Sequence, residues 1–174
     1  GYTEPLCNDT ASLADLSAAY MNTAPGLRAA ARGIAERRYP IGLAFVDVQS
    51  DAQLGAWFRQ RNTFAQVLNS FEVAVHEGGH IWDITMAGGM WPYRLREDLV
   101  IRTRRLTNFN RSEILTLHTD PAMDSYDEVY LAGQSGAQGF NTLLDEYVQY
   151  THSTARATGS RRGRASARAT ASSP

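Results

Sequence analysis

The stretch Val73–Met90 reads VAVHEGGHIWDITMAGGM. His76 and His80 stand four residues apart, and Glu77 directly follows the first. Residues four apart on an α-helix lie one above the other on one face, so two imidazoles at this spacing can take adjacent corners of a metal tetrahedron. Glu77 points roughly a quarter-turn away. That is too far round for a comfortable ligand, but suited to holding the water that fills a metal's open position. Zinc lowers the pKa of such a water to about 7, and a carboxylate beside it can accept the proton and later hand it to a leaving group. The apolar neighbours Phe71, Val73 and Val75, then Ile81, Trp82 and Ile84, place the trio on a buried helix. Buried histidines and a glutamate need something to satisfy them, and a metal does so.

Two glycines inside this helix, Gly78 and Gly79, each cost about 1 kcal/mol relative to alanine. Close approach of another backbone, or of a second helix bearing the rest of the site, accounts for them. The helix ends at Gly88-Gly89, with Pro92 just beyond. Asp83 shares the face of the two histidines and could accept the outer N–H of one of them.

The elements that must position this helix follow from period and punctuation. Thr10–Met21, capped by Thr10 or Ser12, and Leu27–Arg38, with Ile34 inward and Pro40 ending it, read as helices. The run 41–49 is short and partly alternating, so it is expected to be a strand. Asp51–Leu68 is expected to be one helix, with Leu54, Trp57, Phe58, Phe64, Val67 and Leu68 buried. Asn69 and Glu72 either start a new helix by a near capping box or sit on a continuing one. LVIRTRRL and SEILTL read as two β-runs around TNFNR, a hairpin whose second strand could offer an edge to an extended peptide. Tyr126–Leu131 is a short helix or strand. Phe140–His152 is a helix with Phe140, Leu143, Leu144, Tyr147 and Val148 available for packing.

Length and composition bound the rest. A chain of 174 residues with 43% apolar content suits one domain with a real core. The expectation is an α+β domain over residues 1–154, followed by an Arg/Ser/Ala-rich tail at 155–174. That tail has no large apolar residue, so it is expected to be disordered. No run of eighteen apolar residues is present, so no membrane span is expected. The N-terminus shows no basic region followed by an apolar stretch. A secreted or extracellular location is the expectation, with any leader removed ahead of residue 1. The net charge of −1 conceals five arginines in the tail and none of the acids, which leaves the body mildly acidic and argues against nucleic acid as partner. Cys7 is the single cysteine, so no intramolecular disulfide forms. It is a free thiol near the terminus, or a thiolate that reaches a metal and blocks it until the N-terminus is displaced.

His76, Glu77 and His80 match H-E-x-x-H, and on these residues the chain resembles the zincin zinc metallopeptidases. One subgroup continues the motif as H-E-x-x-H-x-x-G-x-x-H. Here position 83 is Asp and position 86 is Met, so that continuation fails. The gluzincin subgroup takes its third ligand as a glutamate from a later helix, and FNTLLDEYVQYTHS is the clearest helix with acids downstream. Glu146, followed four residues later by Tyr150, is similar to that subgroup's E-x-x-x-aromatic pattern. The resemblance thus implies His76, His80 and Glu146 as Zn2+ ligands, with Asp145 next and His152 or His118 behind. It implies Glu77 as the group activating the water, and Tyr150 as the group stabilising the oxyanion on the scissile carbonyl, with Tyr126, Tyr130 and His118 as other candidates. It implies a compact zincin-like domain, with an active-site helix, a glutamate helix and a small sheet or hairpin, acting on a peptide or protein substrate. Roughly 65 residues separate the two halves of that site, departing from a familiar spacing. The alternatives are a zinc-binding interaction module without catalysis, a latent form with a blocked site, or a hydrolase of non-peptide amides.

Overall fold

The computed structural model describes residues 11–106, 109–117 and 125–170, with side chains described through residue 155. Cys7 and His118 lie outside the described residues. The first helix, α1, spans Ala14–Ala19 and is shorter than its apolar spacing suggested. In α2, Ala24–Arg38, the Thr23 side chain accepts the Gly26 N–H. Pro25 sits in the first turn, where its missing N–H costs nothing, so this helix begins ahead of Leu27.

The run expected as a strand is helix α3, Gly42–Asp47. Its neighbours Phe45 and Val46 are both fully buried, which a strand with one inward face would not allow. A short apolar run carries too few residues for its period to decide between the two. The Gln49 side chain holds it in place by donating to the carbonyls of Phe45 and Ala74.

The single helix expected over 51–68 is two, α4 (Asp51–Trp57) and α5 (Phe64–Thr85). Each opens on a capping box, Ser50 with Gln53 and Thr63 with Gln66, in which side chain and backbone satisfy each other's free donors. Asn69 and Glu72 lie inside α5. Beyond it, Gly88 and Gly89 take left-handed φ of 50° and 84°, which turns the chain into a hairpin.

That hairpin pairs β1 (Trp91–Arg96) with β2 (Leu99–Thr103) in antiparallel register, Trp91 opposite Thr103 and Arg94 opposite Val100. The turn is therefore at Glu97-Asp98 and not at TNFNR. SEILTL belongs to a 3-10 helix, Arg111–Leu117, so it offers no edge for an extended peptide. Pro92 hid the first strand; it is tolerated because both strands of a two-stranded sheet are edges. The chain ends in α6 (Ser125–Leu131), α7 (Gly133–Gly136) and α8 (Phe140–Thr170). The backbone of α8 continues past the point where the apolar pattern stops, in keeping with the high helix propensity of alanine and arginine.

Mostly helical, with one two-stranded antiparallel sheet, the described chain is α+β in the coarse sense. Helix α5 runs through its centre. One flank buries Val67, Phe71, Ala74, Val75 and Trp82 against Leu27, Ile34, Phe45 and Leu54 from α2, α3 and α4. The other flank meets α8 and β1, where Trp91, Tyr93 and Val148 form a smaller cluster. The helix is thus covered on two sides, while Val73 and Ile84 remain exposed. Tyr147 of α8, expected to pack, is exposed as well.

Candidate metal centre

His76 and His80 lie one turn apart on α5, facing α8. Their Nε2 atoms are 3.1 Å apart. The Glu146 Oε2 atom from α8 lies 3.5 Å from His76 Nε2 and 3.4 Å from His80 Nε2. These three residues form a group that could hold a metal ion, each offering one ligand atom. Of the downstream acids, the structure brings Glu146 to the histidines' Nε2 atoms and gives Asp145 a different place.

Asp145 Oδ2 sits 2.8 Å from His80 Nδ1, the nitrogen that faces away from the cluster. The carboxylate can only accept, so Nδ1–H donates to it and Nε2 is the atom aimed at the cluster. Asp145 Oδ1 accepts from Gln149 Nε2 at 3.1 Å, and the same nitrogen reaches Asp83 Oδ2 at 3.1 Å. The outer N–H of His80 therefore goes to Asp145, and Asp83, fully buried, stands one step further back. Gln149 was invisible to motif reading, yet its spacing was a clue: it follows Asp145 by four and so shares its face.

Electrostatics follows from this packing. Burial alone would pull His80 down, but the Asp145 and Glu146 carboxylates outweigh it and push the imidazole to about 10. Burial would raise Glu146, whereas the two imidazoles hold it at about 2. Burial, reinforced by the neighbouring Asp145 carboxyl, pushes Asp83 up to about 9. Of the two buried aspartates, Asp83 keeps its proton while Asp145, held down by His80 against its own burial, stays ionised.

The two glycines are explained separately. A Cβ on Gly78 would lie 2.4 Å from the Phe45 carbonyl oxygen, so this glycine admits the backbone of α3. A Cβ on Gly79 would lie 1.7 Å from Gln149 Oε1, so this one admits α8 and with it Asp145 and Glu146. Glu77, half-buried on α5, forms no hydrogen bond or ion pair with its side chain among the described residues.

The Tyr150 ring packs edge-on against His76, centroids 4.6 Å apart, and its hydroxyl bonds that of Tyr130. Burial and that bond raise Tyr130 above its ordinary value. Tyr126 stacks on Tyr130, 6.2 Å between centroids, and is largely exposed. His152 is elsewhere: its Nε2–H donates to the Arg94 carbonyl at 2.7 Å, and its Nδ1 accepts from the Tyr39 hydroxyl at 2.6 Å. Both ring nitrogens are engaged, and burial lowers its pKa, as suits a neutral structural histidine.

No family model matches the sequence, and neither curated proteins nor solved structures yield a match.

Proposed function

We propose that the chain is a zinc-dependent metallopeptidase of gluzincin-like chemistry, hydrolysing peptide bonds at the crossing of α5 and α8. The observation that carries this reading is the spacing of the three donor atoms, 3.1, 3.4 and 3.5 Å. Ligand atoms about 2.0–2.1 Å from a zinc ion in a tetrahedron stand roughly 3.3 Å from one another, so the donor set fits zinc as it stands. Among the described residues three ligands gather, and a set of three leaves a position open, as hydrolytic sites do and closed structural sites do not.

A zinc ion held by His76, His80 and Glu146 would supply Lewis acidity and a water acidified to a pKa of about 7. The remaining roles fall to the protein. Glu77 neighbours His76 and is not engaged with other described side chains, so its carboxylate is free to take the proton of the attacking water and deliver it to the departing amine. Asp145 fixes the His80 tautomer through Nδ1. Tyr150, seated against His76, offers its hydroxyl to the oxyanion that develops on the scissile carbonyl.

The test is Glu77→Gln. This variant is expected to bind one zinc per chain as tightly as the parent, while cleavage of a peptide library falls by about 10²–10⁴-fold. Zinc retained in both proteins, with no cleavage by the parent, would favour a non-catalytic binding module instead.

A further inference from the structure

Tyr130 belongs to α6 and Tyr150 to α8, and their hydroxyls are hydrogen-bonded to each other. Their rings meet edge to face, with centroids 6.3 Å apart and planes at 72°. Behind Tyr130, Tyr126 stands one turn earlier on the same face and stacks on its ring at 6.2 Å and 11°. Helix α6 in turn packs against α7 and the 3-10 helix. The half-buried Tyr130 phenol is therefore held from behind, with its hydroxyl brought to that of Tyr150. On the other side, the Tyr150 ring lies edge-on to His76, 4.6 Å between centroids.

Two phenols carry two hydroxyl protons, and the bond between them uses one. If Tyr150 were the donor, its proton would be spent on Tyr130 and withheld from a substrate beside His76. With Tyr130 as the donor, Tyr150 accepts and keeps its own O–H to give. We propose that Tyr130 is a positioning residue of the centre: its hydroxyl donates to Tyr150 Oη, which fixes the Tyr150 hydroxyl rotor and leaves that O–H for the oxyanion of the scissile carbonyl. A donor already oriented needs no reorganisation as charge develops. The two bonds also run head to tail, from Tyr130 to Tyr150 to the oxyanion, so each polarises the other. The inference rests on the hydrolytic reading above and on the role of Tyr150 in it.

Tyr130→Phe keeps the ring contacts and removes only the hydroxyl. In the zinc-loaded protein it is expected to lower kcat at least about fivefold, with KM for a peptide and zinc affinity unchanged. Because Tyr130 acts through Tyr150, the double variant Tyr130→Phe/Tyr150→Phe should be no slower than Tyr150→Phe alone. A parent-like kcat in Tyr130→Phe, or losses that multiply in the double variant, would overturn the inference. A phosphinate peptide, whose tetrahedral anionic centre stands in for the oxyanion, gives a readout without turnover. By calorimetry Tyr130→Phe should bind it at least about fivefold more weakly than the parent, and that loss should vanish in the Tyr150→Phe background. If no peptide is cleaved but this binding cycle holds, hydrolysis fails and the coupling of Tyr130 to Tyr150 stands. Equal binding by the parent and Tyr130→Phe overturns the inference whether or not peptides are cleaved. A parent that neither cleaves peptides nor binds the phosphinate overturns both.

Discussion

Asp145 gives one carboxylate oxygen to His80 and the other to Gln149, and this places it one bond behind the candidate ligands. Removing such a support costs metal affinity without removing a ligand. Asp145→Asn is therefore expected to weaken zinc binding by about 10–100-fold in chelator competition, with the protein still folded. Affinity equal to the parent's would show that His80 does not need this partner. A second expectation concerns protons. In the metal-free protein His80 sits at about 10 and so carries a proton at neutral pH. Because a ligating imidazole must be neutral, zinc binding at pH 7.5 should release that proton. Calorimetry in buffers of different ionisation enthalpy reads it directly, and buffer-independent heat would contradict it. Motif reading picked out His76, His80 and Glu146, which the structure brings together, the two histidines because their spacing is local and periodic. It offered Asp83 as an acceptor for the outer N–H of one histidine; the structure gives that of His80 to Asp145, because the choice between two aspartates depends on how α8 lies across α5.

At the scale of elements, Gly78 and Gly79 make two different crossings, and their substitutions should separate. Gly78→Ala pushes a methyl against the Phe45 carbonyl, and backbone cannot rotate away. Overpacking of this kind costs about 1–3 kcal/mol, more than the roughly 1 kcal/mol that alanine returns in helix propensity. Gly79→Ala instead displaces Gln149, whose amide ties Asp83 to Asp145, so it should lower zinc affinity as well as stability. Thermal melts and zinc titrations of both variants test this; identical effects on metal binding would show that the two glycines do one job. The pattern of residues revealed long amphipathic helices well, and it signalled that these glycines needed a reason. It failed where elements are short. Residues 41–49 gave no usable period, and SEILTL carries strand-like alternation yet coils into a 3-10 turn. Capping boxes built on glutamine at Gln53 and Gln66 marked two helix starts that apolar spacing alone had merged.

Across the whole molecule, pH dependence follows from the same buried groups. His80 is raised to about 10 in the folded chain, from an unfolded value of about 6.5. Its contribution to stability is full below about 6.5 and is lost as pH rises toward 10. Asp83, raised to about 9 from about 3.9, acts in the same direction, its contribution declining as pH rises from about 4 to 9. His152 is lowered by burial and acts oppositely, but its contribution is complete above about 6.5. The Tm of the metal-free protein should therefore fall between pH 7 and 9.5. Zinc takes the place of the His80 proton, so the loaded protein should fall less over that range. A metal-free Tm that stays flat or climbs would contradict these assignments. The proposed chemistry depends on a single crossing, where two histidines from α5 meet one glutamate from α8. Elemental analysis of the purified protein, repeated on Glu146→Ala, addresses it most directly. The parent should carry one zinc per chain, and Glu146→Ala should lose it under the same dialysis. Zinc held as tightly by Glu146→Ala, or a folded parent that takes up none, would contradict the account.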